Sequence, residues 1–173
     1  MNLIWRMMWA KLRTPFRSRV GIWDIVVTPF RVWPTDLDVL MHMNNSKFLA
    51  LMDIGRMDLM YRSGVWKKIS AQGWYPVVAG QTISYFSSLN PGKAFEIRTQ
   101  LLGLDEKWVY LEQKFYSRNT LCAHAIVRTR FLKKTGSSVT HHELEDLLED
   151  VGHSHQIPKW VLQWSENSKP PAP

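Results

Sequence analysis

The chain has 173 residues, enough for one domain with tails. Apolar residues make up 45% of it and nine are Trp, which excludes global disorder and allows a real core. A single Cys, Cys122, excludes an intrachain disulfide framework, speaks against a Cys-rich metal centre and makes a reducing compartment the default.

The net charge of +7 is local rather than spread. Residues 1–22 hold Arg6, Lys11, Arg13, Arg17 and Arg19 and no acid, so they supply +5 of it. A protein-wide nucleic-acid surface is therefore not implied, and no nucleic-acid partner is expected. The arm is basic and amphipathic. Arg6 interrupts the apolar run that a secretory signal needs, and about 20 consecutive apolar residues for a spanning helix are absent. Two readings stay open. One is a short helix packed on its own domain or on a partner subunit. The other is a helix lying on an anionic membrane through Trp5, Met7, Met8 and Trp9, with Arg6, Lys11 and Arg13.

The next segment, residues 22–33, is rich in β-branched and aromatic residues and predicts a strand, with Pro29 marking an edge or bulge. Residues 45–62 predict a helix with Phe48, Met52, Gly55 and Leu59 on one stripe. Leu49, Leu51, Ile54, Met57 and Met60 make it apolar on most other sides, as in a helix buried on more than one face. Gly55 costs about 1 kcal/mol of helix propensity; close approach to something flat, such as a sheet, is its simplest reason. Asp58 and Arg62 have the spacing and order of a surface ion pair.

A short helix over about 65–71 ends near Gly73. Period-two alternation then predicts strands over 74–86, 94–104, 107–117 and 121–134, separated by turns at 89–93, 104–107 and 117–120. Strand, buried helix and antiparallel meander together make an α+β domain, with one helix laid against a curved sheet. The domain is expected over residues 23–135, after an arm of residues 1–22 and before a C-terminal helix and flexible tail over 136–173. The C-terminal helix is expected over 140–150 with Thr140 as N-cap, and the last nine residues read as a disordered tail. His141, His142, His153 and His155 match no closed zinc spacing and read as a solvated stretch. Cys122 and His124 read as strand residues rather than a nucleophilic pair.

Chemistry concentrates in "DLDVLMHMNNSKFL", residues 36–49. A strand-to-helix junction collects unpaired backbone N–H groups and the positive end of a dipole, which suit a carbonyl oxygen that becomes negative during reaction. A nearby carboxylate such as Asp38 can activate water or attack directly. The competing reading is structural, with Asn44 or Asn45 as helix N-cap and Asp36 as turn former.

The same stretch, followed by a buried helix and a meander, resembles the hotdog-fold acyl thioesterases. It is similar to the 4-hydroxybenzoyl-CoA thioesterase type and the plant acyl-carrier-protein thioesterases, whose pattern is approximately Asp-x-Asp-x-x-x-His-x-Asn-Asn-x-x-Tyr. Bacterial and animal thioesterase-superfamily-member-six-like proteins share further features. These are a basic, apolar arm, a lead-in matching Pro34 to Asp38 and a core matching His42 to Asn45. Some also share helices like 52–60 and strands like 101–115.

The resemblance implies a hotdog fold: a long helix wrapped by a curved antiparallel sheet, paired into homodimers with sites at the interface. It implies a metal-independent, cofactor-free acyl-CoA or acyl-carrier-protein thioesterase that is cytoplasmic, with peripheral membrane contact through residues 1–19 left open. It assigns Asp38, His42 and Asn45 to catalysis, with the Asn45 backbone N–H as carbonyl donor. Asn44 and Phe48 would touch substrate, and Asp53 stands where many relatives carry a helix acid; an ion pair with Arg56 is the alternative there. Between Asp38 and His42 relatives often carry Asn or Gly, where this chain has Leu40 and Met41, and Phe48 replaces the usual Tyr. A weakly active or non-catalytic acyl-binding or membrane-associated scaffold therefore stands as the alternative.

Overall fold

The period-two segments form a single sheet, and the apolar helix lies inside its curve. The computed structural model describes residues 5–8, 12, 17–148 and 157–168. Strands β1 (Val26–Arg31), β2 (Trp74–Tyr85), β3 (Ala94–Leu104), β4 (Val109–Ser117) and β5 (Thr120–Lys133) pair antiparallel in the order β1-β3-β4-β5-β2. The helices are α1 (Asn45–Arg62), α2 (Val65–Ala71), α3 (His141–Leu148) and α4 (Lys159–Asn167). Register shifts at Val78/Gly80, Leu101/Gly103 and Phe115/Tyr116 bend the strands, as bulges do, and the sheet curls around α1. This is the hotdog arrangement. Pro29 sits on edge strand β1, where a missing N–H costs no ladder bond.

Gly55 is where helix and sheet meet most closely. A Cβ there would stand 2.8 Å from Thr99 Oγ1 and 2.9 Å from Gln113 Nε2. Gln113 Nε2 donates to the Met52 carbonyl at 3.0 Å and to Thr99 Oγ1 at 3.0 Å, stitching α1 to β3 and β4 through buried polar groups. This seam divides the core. Towards the start of α1, Phe48 and Met52 pack with Ile97, Phe115 and Ala123. Towards its end, Leu59 packs with Ile69, Leu101, Phe131 and Leu144.

Two expectations need correction. Asp58 is buried rather than part of a surface pair: it accepts from Thr28 Oγ1 at 2.7 Å and is ion-paired with Arg17. Arg62 instead donates to the Ser18 carbonyl at 3.0 Å. These bonds, together with half-buried Val20, Ile22 and Trp23 packed against the core, tie residues 17–23 to the domain. Nor is the sequence from Ser165 a tail from its first residue. Ser165–Asn167 close α4, which lies on the outer face of the sheet over Tyr110 and Ile126, with Val161 fully buried. Tyr110 Oη donates to Asp105 Oδ2 at 2.6 Å and accepts from Ser165 Oγ at 2.8 Å, and Ser165 Oγ accepts from Arg128 Nη1 at 3.0 Å, so α4 covers both Tyr110 and Arg128. Residues 149–156, with His153 and His155, and 169–173 lie outside the described residues.

Candidate active site

Between β1 and α1 the chain makes a tight loop built on two aspartates. A 3-10 turn at Pro34–Asp36 leads into it. Asp36 is 1% exposed. Its carboxylate accepts from the Trp33 N–H at 2.9 Å and from Arg6 Nη2 at 2.5 Å, and its carbonyl accepts from the Asn44 N–H at 2.8 Å. An isolated bridge between Leu37 and Met43 closes the base of the loop. Asp36 is thus an anchor as well as a turn former. Its partner Arg6 is buried and cannot present its charge outward. Nothing in local periodicity links two residues thirty positions apart, so the sequence carries no signal for that pair.

Asp38 organises the tip. Its N–H donates to the His42 carbonyl at 2.8 Å, and its Oδ1 accepts from the N–H groups of Leu40 at 2.9 Å and His42 at 3.1 Å. Among the described residues Oδ2 has no hydrogen-bond partner. Met41 lies in the left-handed region at φ 60°, where an L residue is strained and Gly is not. Val39, Leu40 and Met41 are 97%, 71% and 60% exposed, an apolar tip in solvent.

Asn44 is the helix N-cap: its Oδ1 accepts from Ser46 N–H at 2.9 Å and Ser46 Oγ at 2.7 Å. The Lys47 N–H goes to the Asn44 carbonyl. The Asn45 N–H has no partner among the described residues, and it stands at the positive end of an eighteen-residue helix. The structural reading of Asn44 is therefore right, and it leaves the Asn45 donor available.

The loop joins Asp38 and His42 by hydrogen bonds, and Asn44 and Asn45 follow where it enters α1. It does not bring in Phe48 or Asp53. Phe48 is buried in the core, with ring centroids 5.1 Å from Tyr85 and 5.0 Å from Phe115. Asp53 is eight residues past Asn45, about 12 Å along the helix. Its exposed carboxylate is ion-paired with Arg56, which also donates to Gln113 Oε1 at 2.9 Å. Burial lowers the Arg56 guanidinium pKa, and Asp53 opposes that shift.

Elsewhere, Cys122 is buried and His124 bonds Glu112 at 2.9 Å, consistent with strand roles. His141 and His142 pair with Glu145 and Asp146. Among the described residues no group of three His, Cys, Asp or Glu stands close enough to hold a metal, and no helix is long and apolar enough to cross a membrane.

Comparison with known proteins bears on the fold and the family. Protein THEM6 of Danio rerio is 35% identical over 95% of this chain, which spans 83% of that protein. Protein THEM6 of Xenopus laevis is 33% identical over 75% of this chain and 64% of its own length, so the chain spans less than two thirds of that relative. The probable thioesterase YbaW of Escherichia coli superposes with a TM-score of 0.67 at 25% identity, covering 71% of this chain and 96% of that one. The family profile described as Thioesterase-like superfamily matches residues 32–165, the whole span from the loop to the outer helix. On that match and on the fold, the chain belongs to the thioesterase-like superfamily.

Proposed function

We propose that the protein hydrolyses an acyl thioester, carried on CoA or on a carrier protein, to a free acid and a thiol. Asp38 is the general base or nucleophile and the Asn45 N–H is the carbonyl donor. The observation that supports this most is that one loop and the helix start it leads into hold a carboxylate oxygen and an N–H with no partner among the described residues. As general base, Asp38 takes a proton from water while the water oxygen attacks the thioester carbon. The carbonyl oxygen gains charge against the helix N-terminus, and the departing thiolate recovers the proton. As nucleophile, Asp38 forms an anhydride that water then cleaves, with the same thiolate leaving. His42 lies exposed beside the thioester path and orients it; Asn44 keeps the helix start in place. No metal or cofactor takes part.

The assembly is a homodimer. β2 is twelve residues long and among the described residues pairs only with β5, so its other edge is open there, and Tyr75, Val78 and Tyr85 along it are exposed. Pairing two such edges removes both. The arm meets an anionic membrane surface from a cytoplasmic location: Trp5, Met8 and Leu12 face outward, while Arg6 is turned in.

Thiol release from acyl-CoAs differing in acyl chain, measured with the full chain, tests the reading. No turnover of any of them refutes it. The exposed Leu40 side chain, with no hydrogen bond to offer, then favours the scaffold reading. A monomeric mass by light scattering at micromolar concentration counts against the dimer.

A further inference from the structure

Behind the second half of α1 the structure encloses a cavity of about 290 Å³. Its walls are Met60 of α1, Ile69 of α2, Leu101 of β3, Leu111 of β4 and Phe131 of β5, and Leu144 of α3 closes it from below. Protein interiors are close-packed, so a void this large is a site rather than a packing defect. Apolar cavities stay dry and take apolar guests. The exposed members of the lining are Met7, Asp53 and Val78, so the cavity opens on that side. Its polar groups, Asp53 and Arg56, lie along α1 towards that opening, apart from Thr129 on β5. Apolar depth behind a charged mouth is the polarity of an acyl chain with a polar head.

We propose that this cavity binds an unbranched aliphatic chain, with α3 as its floor and Met7 as its cover. At about 30 Å³ for each water-sized volume, the space suits a chain on the order of ten carbons. The floor sets the length: Leu144 is buried and Leu148 lies half-buried beside it on the same helix. The cover is Met7, held over the mouth because its neighbour Arg6 is latched to Asp36 at 2.5 Å. The same Asp36 anchors the loop that carries Asp38. Cover and catalytic loop therefore share one fixed point.

This inference rests on the thioesterase reading for the head group and on the β2-paired dimer for geometry. Within one protomer, packed Phe48 and Met52 separate the Asn45 N–H from the cavity. β2 spans both places: Tyr85 at its end touches Phe48, while Pro76 and Val78 near its start line the cavity. Antiparallel two-fold pairing of β2 edges sets the end of one beside the start of the other. A thioester held at one helix start then threads its chain into the opposite protomer.

The test titrates the full chain with hexanoate, decanoate and hexadecanoate, reading binding by calorimetry, decanoate release by stopped-flow displacement and folding by thermal melting. Decanoate binds tightest. Leu144→Phe and, at the rim, Leu148→Trp shift the preference to hexanoate and weaken decanoate tenfold or more. Arg6→Gln frees the cover and speeds decanoate release by about the same factor. Equal affinity for all three acids, or unchanged decanoate binding by both floor variants with wild-type melting, overturns the proposal. Decanoate release by Arg6→Gln at the wild-type rate overturns the cover. Chain-length-dependent binding without thioester turnover would sink the Asp38 reading and leave the cavity standing. Turnover whose chain preference ignores both floor variants would do the reverse.

Discussion

Asp38 has two jobs that a pair of substitutions separates. One is structural: Oδ1 accepts the N–H groups of Leu40 and His42 and so holds the loop tip. The other is the chemistry proposed above, which falls to Oδ2, an oxygen without a hydrogen-bond partner among the described residues. Asp38→Asn keeps an amide oxygen where Oδ1 stands, so both backbone bonds survive and stability changes by no more than about 0.5 kcal/mol. It removes the basic carboxylate, and turnover falls on the order of a hundredfold or more, about 2.7 kcal/mol in the barrier. Asp38→Ala loses the base and both acceptors. At about 1 kcal/mol for each bond, discounted because the loop is partly in water, it costs about 1–2 kcal/mol of stability. That is a fall in melting temperature of about 2–8 °C for a chain this size. Thiol release under saturating acyl-CoA reads the first effect and thermal melting the second. Full activity in Asp38→Asn refutes the catalytic assignment. Early melting of Asp38→Asn, matching that of Asp38→Ala, refutes the account of the loop.

Met41→Gly relieves the positive φ at an exposed position and raises stability by up to about 1 kcal/mol; a lowered melting temperature contradicts the strain. Gly55→Ala gains helix propensity but drives a Cβ to within 2.8 Å of Thr99 Oγ1, and the overpacking, about 1–3 kcal/mol, exceeds the gain, so denaturant melts shift down. The Tyr110 phenol is pushed up to about 12 by burial and by its bond to Asp105. The stability it lends is whole below its unfolded pKa of about 10 and is lost as pH rises towards 12. Tyr110→Phe therefore flattens the alkaline loss of α4 docking, read by fluorescence of Trp160 and Trp164. Binding of the full chain to anionic liposomes falls with added salt and with Lys11→Gln plus Arg13→Gln, and salt-independent binding defeats the membrane reading.

What was legible in the sequence was what periodicity encodes. α1 spans Asn45–Arg62 as its apolar stripe implies, because Phe48, Met52 and Leu59 had to be buried together. β3 begins and ends where alternation does. Gly55 was readable because a poor helix former in a good helix needs a neighbour that leaves no room, and Thr99 with Gln113 is that neighbour. The loop was readable because its residue types, Asp, His and two Asn at a helix start, share a physical role before any fold is known.

What was not legible depends on pairs distant in the chain. α4 is short and follows Pro158, and its docking is decided by Tyr110 and Arg128 on a strand face that alternation assigns to water. Asp58 and Arg62 have good helix spacing, yet a buried carboxylate beside Thr28 and Arg17 outweighs a surface pair, since burial removes the water that would weaken its bonds. Arg6 follows the same logic. A basic residue in a basic arm reads as one more outward charge until a buried Asp36 requires a cation. Under the proposed membrane contact, the surface on offer is what remains after Arg6 is taken inward, and among the described residues Trp5, Met8 and Leu12 stand outside and are apolar. The proposed attraction to lipid then divides in two: apolar contact from those residues, and the positive charge that the sequence carries at Lys11 and Arg13. A salt titration removes the second and leaves the first.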